Sequence, residues 1–264
     1  MPSRGAESIS RIAAIARNAF REAIRDRILY NLIFFVLLIT ASAIFLGELT
    51  AGQEARVIVD LGLSAMLLFG TFIAIFVGVS LVWKEIEKRT VYSIFAKPVG
   101  RVEFIVGKYL GLCLTLLLNV AVMGVGVSVA LVYVGNKDLA VSIWPAVLLL
   151  YLELTITTAI AIMFSSFSTP ALAALLTFFF FVIGHFSSTL RELAQDMSSS
   201  VSRTIFDVLY FVLPNFSHFS FITETANGLK VPAGFLGGSV IYAVLINVIL
   251  LTITTVIFSR RDFK

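Results

Sequence analysis

The chain has 264 residues, of which 59% are hydrophobic and 14% charged, and its mean hydropathy is +0.99. A soluble domain holds about 45–50% apolar and about 25% charged residues, so the composition excludes a water-soluble enzyme or binding module and requires an integral membrane protein. The net charge of +4 is distributed beside the apolar runs rather than in one patch, which points to membrane-surface contacts and away from nucleic acid.

The first 27 residues are Arg-rich and lack a continuous apolar core, so they do not read as a secretory signal. Residues 8–27 predict an amphipathic helix. At 100° per residue, Ile9, Ile12, Ala13, Ala16, Phe20, Ala23 and Ile24 share one face, and Arg11, Arg17, Asn18, Arg21, Glu22 and Arg25 share the other. A basic amphipathic helix that runs directly into a span is expected to lie in the membrane interface, apolar side down.

A span needs about 20 mostly apolar residues. Six stretches meet or approach this, at 28–47, 61–83, 105–134, 143–165, 170–189 and 234–258. The expected fold is an all-α membrane protein, a single transmembrane domain over 1–264. The lone cysteine, Cys113, lies inside the third span and excludes a disulfide within one chain. With the N-terminus inside, 15 of the 20 Lys and Arg residues fall on inner segments, and only Arg56, Lys137, Arg191, Arg203 and Lys230 fall outside. The positive-inside rule then places both termini in the cytoplasm.

The inner segment 84–101, KEIEKRTVYSIFAKPVGR, is the one long charged stretch between two apolar runs. Glu85 to Ala96 lacks Gly and Pro and predicts a short helix, ended by Pro98. Acids near its start and Lys97 near its end match the helix dipole, and Ile86, Val91, Ile94 and Phe95 give it apolar surface for a partner. The outer segment 190–233 is the one long insertion. Within it RTIFDVLYFVLP (203–214) is too short to span and too apolar to be solvated, which predicts a re-entrant or interfacial helix before the sixth span. Gly234, Gly237 and Gly238 open that span with room for close backbone contact.

These pieces, with their residues, carry a resemblance. REAIRDRILY (21–30), the run from Gly62 to Gly111, YFVLPNF (210–216) and FSRRDF (258–263) resemble the permease subunit of bacterial ABC transporters of the type-2 export class. The most specific part is Glu85, Glu87, Thr90, Lys97, Pro98, Arg101, Gly107 and Lys108; Gly100 stands where that family more often has a small hydroxyl residue. The resemblance implies a non-catalytic subunit in the bacterial inner membrane, paired with a second permease copy or a related permease. Two separate ATPase subunits would bind ATP and Mg and dock on the inner loops. It implies that Glu85 to Ala96 is the coupling helix, with Glu85, Glu87, Thr90, Tyr92, Ile94, Phe95, Pro98 and Arg101 as the coupling residues. The short loop from Ser165 to Thr169 would make a second contact. The chain carries no G-x-x-x-x-G-K-[ST] phosphate loop and no cofactor signature of its own, so a partner must supply the energy of active transport.

Three polar residues at membrane depth are candidates for a substrate path: Glu153 in the fourth span, Asn119 in the third and Asn247 in the sixth. A buried carboxyl at such depth faces a bundle interior or a water path, or is held within the bundle, for example by Thr157. Helix-to-helix hydrogen bonding is the plainer role for the asparagines. His185 and His218 stand apart from any thiol or carboxylate cluster in the sequence, so no metal site is expected. Lys108 is expected to snorkel to lipid phosphates, and the phenylalanines at 178–181 to face lipid or pack. Two other functions fit the same pattern. One is an ATPase-coupled machine acting on lipid, cell-envelope proteins or metalloenzyme maturation; the other is an ATPase-independent channel.

Overall fold

The computed structural model describes residues 4–24, 34–35, 38–39, 41–42, 45, 52–87, 100–187, 189, 204, 210 and 213–260. Among these the regular structure is helical, with no strand. The helices are α1 (Arg4–Ala23), α2 (Glu54–Glu87), α3 (Arg101–Tyr133), α4 (Lys137–Ser142), α5 (Trp144–Ser165), α6 (Pro170–His185), α7 (Ile222–Ala226) and α8 (Ala233–Arg260), with a 3-10 turn at Phe216–His218. Four described helical stretches are long and apolar enough to cross a membrane: Glu54–Leu81, Arg101–Tyr133, Lys137–Ser165 and Ala233–Arg260. They correspond to the second, third, fourth and sixth expected spans. The fifth is α6, of 16 residues, about 24 Å at 1.5 Å per residue. Most of the first expected span lies outside the described residues. Its described positions are helical, and Phe34 and Phe35 set their rings edge-on to Phe69 of α2, with centroids 5.8 and 6.3 Å apart.

Local sequence explains where these helices begin and end. Proline stands in the first turn of both α5 and α6, where its missing N–H costs nothing. Gly135, at φ +87°, closes α3 in a left-handed turn. The amides of Gly135 and Asn136 return to the carbonyls of Val132 and Leu131 at 3.0 and 2.9 Å, which satisfies the last carbonyls of the helix.

The centre of the bundle is α5. It packs against α2, α3, α6 and α8, and Leu154, Ile156, Ala159, Ile160, Ala161 and Ile162 are almost wholly buried. Close approach between α2 and its neighbours depends on Gly62, Gly70 and Gly78, which face Val127, Leu154 and Ala161 in turn. A Cβ at Gly70 would lie 2.4 Å from Leu154 Cδ1, so the α5 side chain occupies the space a larger residue would need. The chain reversals place Arg101, Ser165, Pro170 and Arg260 at one end of the bundle, which we call the basic end. Glu54, Tyr133, His185 and the 213–231 segment stand at the other.

Candidate functional site

The basic end is built on the first two turns of α3. Glu103 sits three residues after Gly100 and accepts its amide hydrogen at 3.0 Å, one half of a capping arrangement that starts the helix. The same carboxylate takes the Ser8 hydroxyl at 2.6 Å and pairs with Arg11 Nε at 3.2 Å, both from α1. One turn on, Lys108 Nζ stands 3.6 Å from Glu22 of α1 and 5.9 Å from the Phe104 ring centre. Arg101 extends the other way and donates to the carbonyl of Phe258, at 3.0 Å, and to that of Ser259. A guanidinium on the last carbonyls of α8 meets the negative end of the helix dipole. The start of α3 is therefore tied to both α1 and the end of α8.

Packing and charge both hold this node. The pair of Arg11 with Glu103 is partly exposed and screened by solvent, whereas Lys108 is buried and depends on Glu22. Helix α1 crosses over Gly107 and Gly111, four residues apart on one face of α3. A Cβ at Gly111 would lie 2.6 Å from both the Ala16 carbonyl oxygen and the Ala19 Cβ. A Cβ at Gly107 would lie 2.7 Å from Ile15 side-chain carbons. Backbones approach this closely only over small residues. Ala16, Ala19 and Ala23 of α1 are buried in this contact. The amphipathic helix thus sets a small-residue face on its own protein, while Ile9 stays exposed. Lys108 is likewise only 3% exposed beneath α1, so it pairs with Glu22 rather than reaching out to lipid.

The expected coupling segment falls largely outside the described residues, including Thr90, Tyr92, Ile94, Phe95 and Pro98. At its start the structure differs from the expectation. Helix α2 continues without interruption through Lys84 to Glu87, so Glu85 and Glu87 belong to its last turn. Nothing between Trp83 and Glu87 breaks a helix, and the ladder of α2 runs on past the apolar boundary. The dipole argument then reverses for these residues: Lys84 suits the C-terminal turn, and the two acids do not. At the other end of the segment, Arg101 occupies the first turn of α3 in the node just described.

The membrane-depth candidates are all buried. Asn119 donates to the Thr115 carbonyl of its own helix at 2.8 Å. Asn247 donates to the Thr155 hydroxyl at 3.0 Å and joins α8 to α5. Glu153 is fully buried, and Thr157 bonds to its backbone carbonyl rather than its carboxylate. The carboxylate instead meets His185 of α6, with Oε1 and Nε2 3.2 Å apart. Read in sequence, His185 has no carboxylate near it; the antiparallel return of α6 supplies one from 32 positions upstream. Among the described residues no group of three or more His, Cys, Asp or Glu is placed to hold a metal.

Among the described residues, cavities open between the helices at two places that bear on transport. One, of about 210 Å³, lies between α2 and α6 and is lined by Ser64, Leu67, Leu68, Thr71, Phe72, Ile75, Phe178, Phe181 and Ile222. The other, of about 1050 Å³, opens at the end away from Arg101, with Arg56, Asn136, Asp138, Ser142 and Lys230 among its lining residues. Glu153, Asn119 and Asn247 line neither. Phe178 and Phe179 are half exposed on the outer surface of α6, whereas Phe180 packs on Phe164 and Phe181 on His185.

Comparison with known proteins gives one family. The family described as ABC-2 family transporter protein matches the chain over residues 13–263. No curated protein matches the chain.

Proposed function

The chain belongs to the ABC-2 family of transporter proteins, and we propose that it is the non-catalytic membrane subunit of an ATP-driven exporter that works as a pair of permeases driven by two ATPase subunits. In this reading the segment 84–101 meets the ATPase in the cytoplasm of a bacterium, on the inner face of the cytoplasmic membrane, and ATP and Mg stay with that partner. Closure of the ATPases draws the two segments together, and the spans tilt to open a path between the permease copies. The observation that carries this reading is the node at the basic end. The segment enters α3 at Arg101, and Arg101, Glu103, Gly107, Lys108 and Gly111 tie that entry to α8 and α1. A push on 84–101 therefore acts on three helices at once.

The test separates docking from transmission. In Phe95→Asp a charge replaces the apolar contact surface, and co-purification of the ATPase with the full-length permease should fall at least about tenfold, the equivalent of 1.4 kcal/mol. Gly111→Val instead drives α1 off α3. Partner binding should persist while permease-dependent ATP hydrolysis falls toward that of the ATPase alone. Undiminished co-purification with Phe95→Asp would sink the docking surface, and full stimulation with Gly111→Val would sink the transmission route.

A second reading is supported by the cavity between α2 and α6. Its lining is almost wholly apolar, and its rim residues Leu68, Phe72 and Phe178 are exposed on the surface that faces lipid in a membrane. An ATPase-coupled machine that moves lipid would use such a lateral opening. Thr71→Trp should then block lipid movement in reconstituted vesicles while leaving ATPase binding intact; unaltered lipid movement counts against this reading.

A further inference from the structure

The contact between Glu153 and His185 has a feature that helix packing alone does not explain. Both carboxylate oxygens of Glu153 and Nε2 of His185 are buried without a hydrogen-bond partner among the described residues. Oε1 and Nε2 are 3.2 Å apart, at ion-pair distance. The other ring nitrogen is committed. Nδ1 lies 3.2 Å from the Phe181 carbonyl, which can only accept, so Nδ1 carries a hydrogen. A neutral imidazole then presents a bare lone pair at Nε2 to the carboxyl group. A single proton placed between Nε2 and Oε1 satisfies both atoms. It yields either a carboxylic acid donating to imidazole or an imidazolium donating to carboxylate, and both states are neutral overall. An unshared charge at this depth is costly, because a lone buried carboxylate loses several kcal/mol of solvation.

The two residues differ in access. Glu153 is fully buried, whereas the His185 side chain is 23% exposed at the end of the bundle away from Arg101. Over it lies the 213–221 segment. Phe216 is fully buried, with its ring centre 5.8 Å from that of His185 and 5.7 Å from that of Phe181. Gly184 makes this possible, since a Cβ there would lie 2.5 Å from the Phe216 ring and 2.8 Å from the Pro214 carbonyl oxygen. Asn215 pins the segment: its amide donates to the Tyr242 hydroxyl at 2.9 Å, and its side chain accepts from Ser187 at 2.6 Å.

We propose that Glu153 and His185 form a proton-binding site inside the membrane domain, entered through His185 and covered by Phe216. When α6 rests on α5, the pair holds one proton between Oε1 and Nε2. When α6 moves away, the carboxyl keeps that proton, and the freed Nε2 takes a second proton from water at the end away from Arg101. Acid at that end therefore favours the separated arrangement.

The remaining titratable groups on the elements packed against α5 lie as follows. From α5 comes Tyr151, which bonds to the Cys113 carbonyl; α3 brings Tyr109, Cys113 and, at its far end, Tyr133, and α4 brings Lys137 and Asp138. Arg101, Glu103 and Lys108 of α3 sit in the node at the basic end. The charges of α2 lie near its two ends, at Glu54, Arg56 and Asp60 and at Lys84, Glu85 and Glu87. From α8 come Tyr242 and the terminal Arg260. His218, two residues beyond Phe216, sets its ring at a tilt against those of Phe235 and Tyr242.

The chain has two histidines, so nitrogen-15 NMR of the full-length, histidine-labelled protein in lipid nanodiscs reads both, with His218→Gln giving the assignment. His185 should hold its signals unchanged from about pH 5 to 8, the range in which a free imidazole changes charge. In Glu153→Gln its Nε2 signal should move to that of a nitrogen that shares no proton. In Phe216→Ala, proton exchange at His185 should quicken at least about tenfold, the factor that 1.4 kcal/mol of lid contact corresponds to. A His185 that changes charge between about pH 5 and 8, or signals unmoved by Glu153→Gln, overturns the shared proton. Unchanged exchange in Phe216→Ala overturns the lid. Should Glu153→Gln fail to fold, the wild-type titration and the Phe216→Ala exchange decide the matter without it.

Discussion

Helices α5 and α8 are both long and apolar, yet most residues of α5 are buried and few of α8 are. Hydropathy sorts both into the membrane and says nothing about which one is the core. The difference lies in the side chains that hydropathy averages away. Helix α5 carries Glu153, Thr155, Thr157 and Thr158, all buried and spread around its circumference, followed by small residues at Ala159 and Ala161. In lipid, polar groups must find partners inside the protein, so a helix with several of them is drawn to the centre. Helix α8 shows Ile241, Val244, Leu245, Val248, Ile249, Ile253 and Val256 on its surface, with Asn247 turned inward. Its open face is free for lipid or a second copy, and Gly234, Gly237 and Gly238 meet nothing within 4 Å in this chain.

This comparison can be broken or sharpened by substitution. The sole thiol, Cys113, is buried and serves as the readout, since it should react with a maleimide only when the bundle opens. Ala161→Phe is expected to cost most. Ala161 is fully buried and its Cβ lies 3.1 Å from where a Cβ at Gly78 would stand, so the ring has no free volume, and overpacking at about 3 kcal/mol should follow. Labelling of Cys113 at the wild-type rate would show that α5 is not the rigid centre. Asn247→Leu removes the hydrogen bond from α8 to Thr155. Its cost should be near the 0.6–1.7 kcal/mol measured for such bonds in membranes, roughly a third of the first. An effect as large as that of Ala161→Phe would mean that α8 is held by far more than its sparse contacts. Val248→Phe, on the open face, should stay within about 0.5 kcal/mol for the single chain. If crosslinking in the membrane finds fewer permease pairs with this variant, then α8 belongs to the surface between copies; if pairing is untouched, that face belongs to lipid.

The sequence reading succeeded where the signal was long and local. The periodicity of residues 8–27 gave α1, and four described spans follow the predicted apolar runs to within a few residues, apart from α2, which begins at Glu54 rather than 61. It failed at both ends of α2 because helices do not stop where hydropathy stops. Arg56 and Asp60 at one end and Lys84 to Glu87 at the other are good helix formers or are tolerated in water, so the ladder continues through them. The node at the basic end was partly legible. Gly107 and Gly111 carry the small-residue spacing of a close helix crossing, and Glu103 stands three residues after the cap position. What could not be read was the partner. An apolar face on a basic helix is consistent with a lipid surface, and only the fold shows that its alanines meet these glycines. Glu153 and His185 were each visible as unusual, but their pairing depends on the reversal at Ser165 to Pro170, which sets α6 antiparallel against α5.

By itself the sequence determined the membrane location, the helical class and the approximate limits of the long apolar helices. These follow from solvation, because about 20 apolar residues in a row leave the chain no choice of environment. Only the tertiary structure decided which span lies at the centre, which helix α1 covers, where Arg101 and Lys108 direct their charges, and that a buried glutamate faces a histidine. Such choices depend on contacts between distant segments, and within lipid the apolar face of any one helix is equivalent to that of any other. Small residues and paired polar groups break that equivalence, and their partners become known only once the helices are assembled.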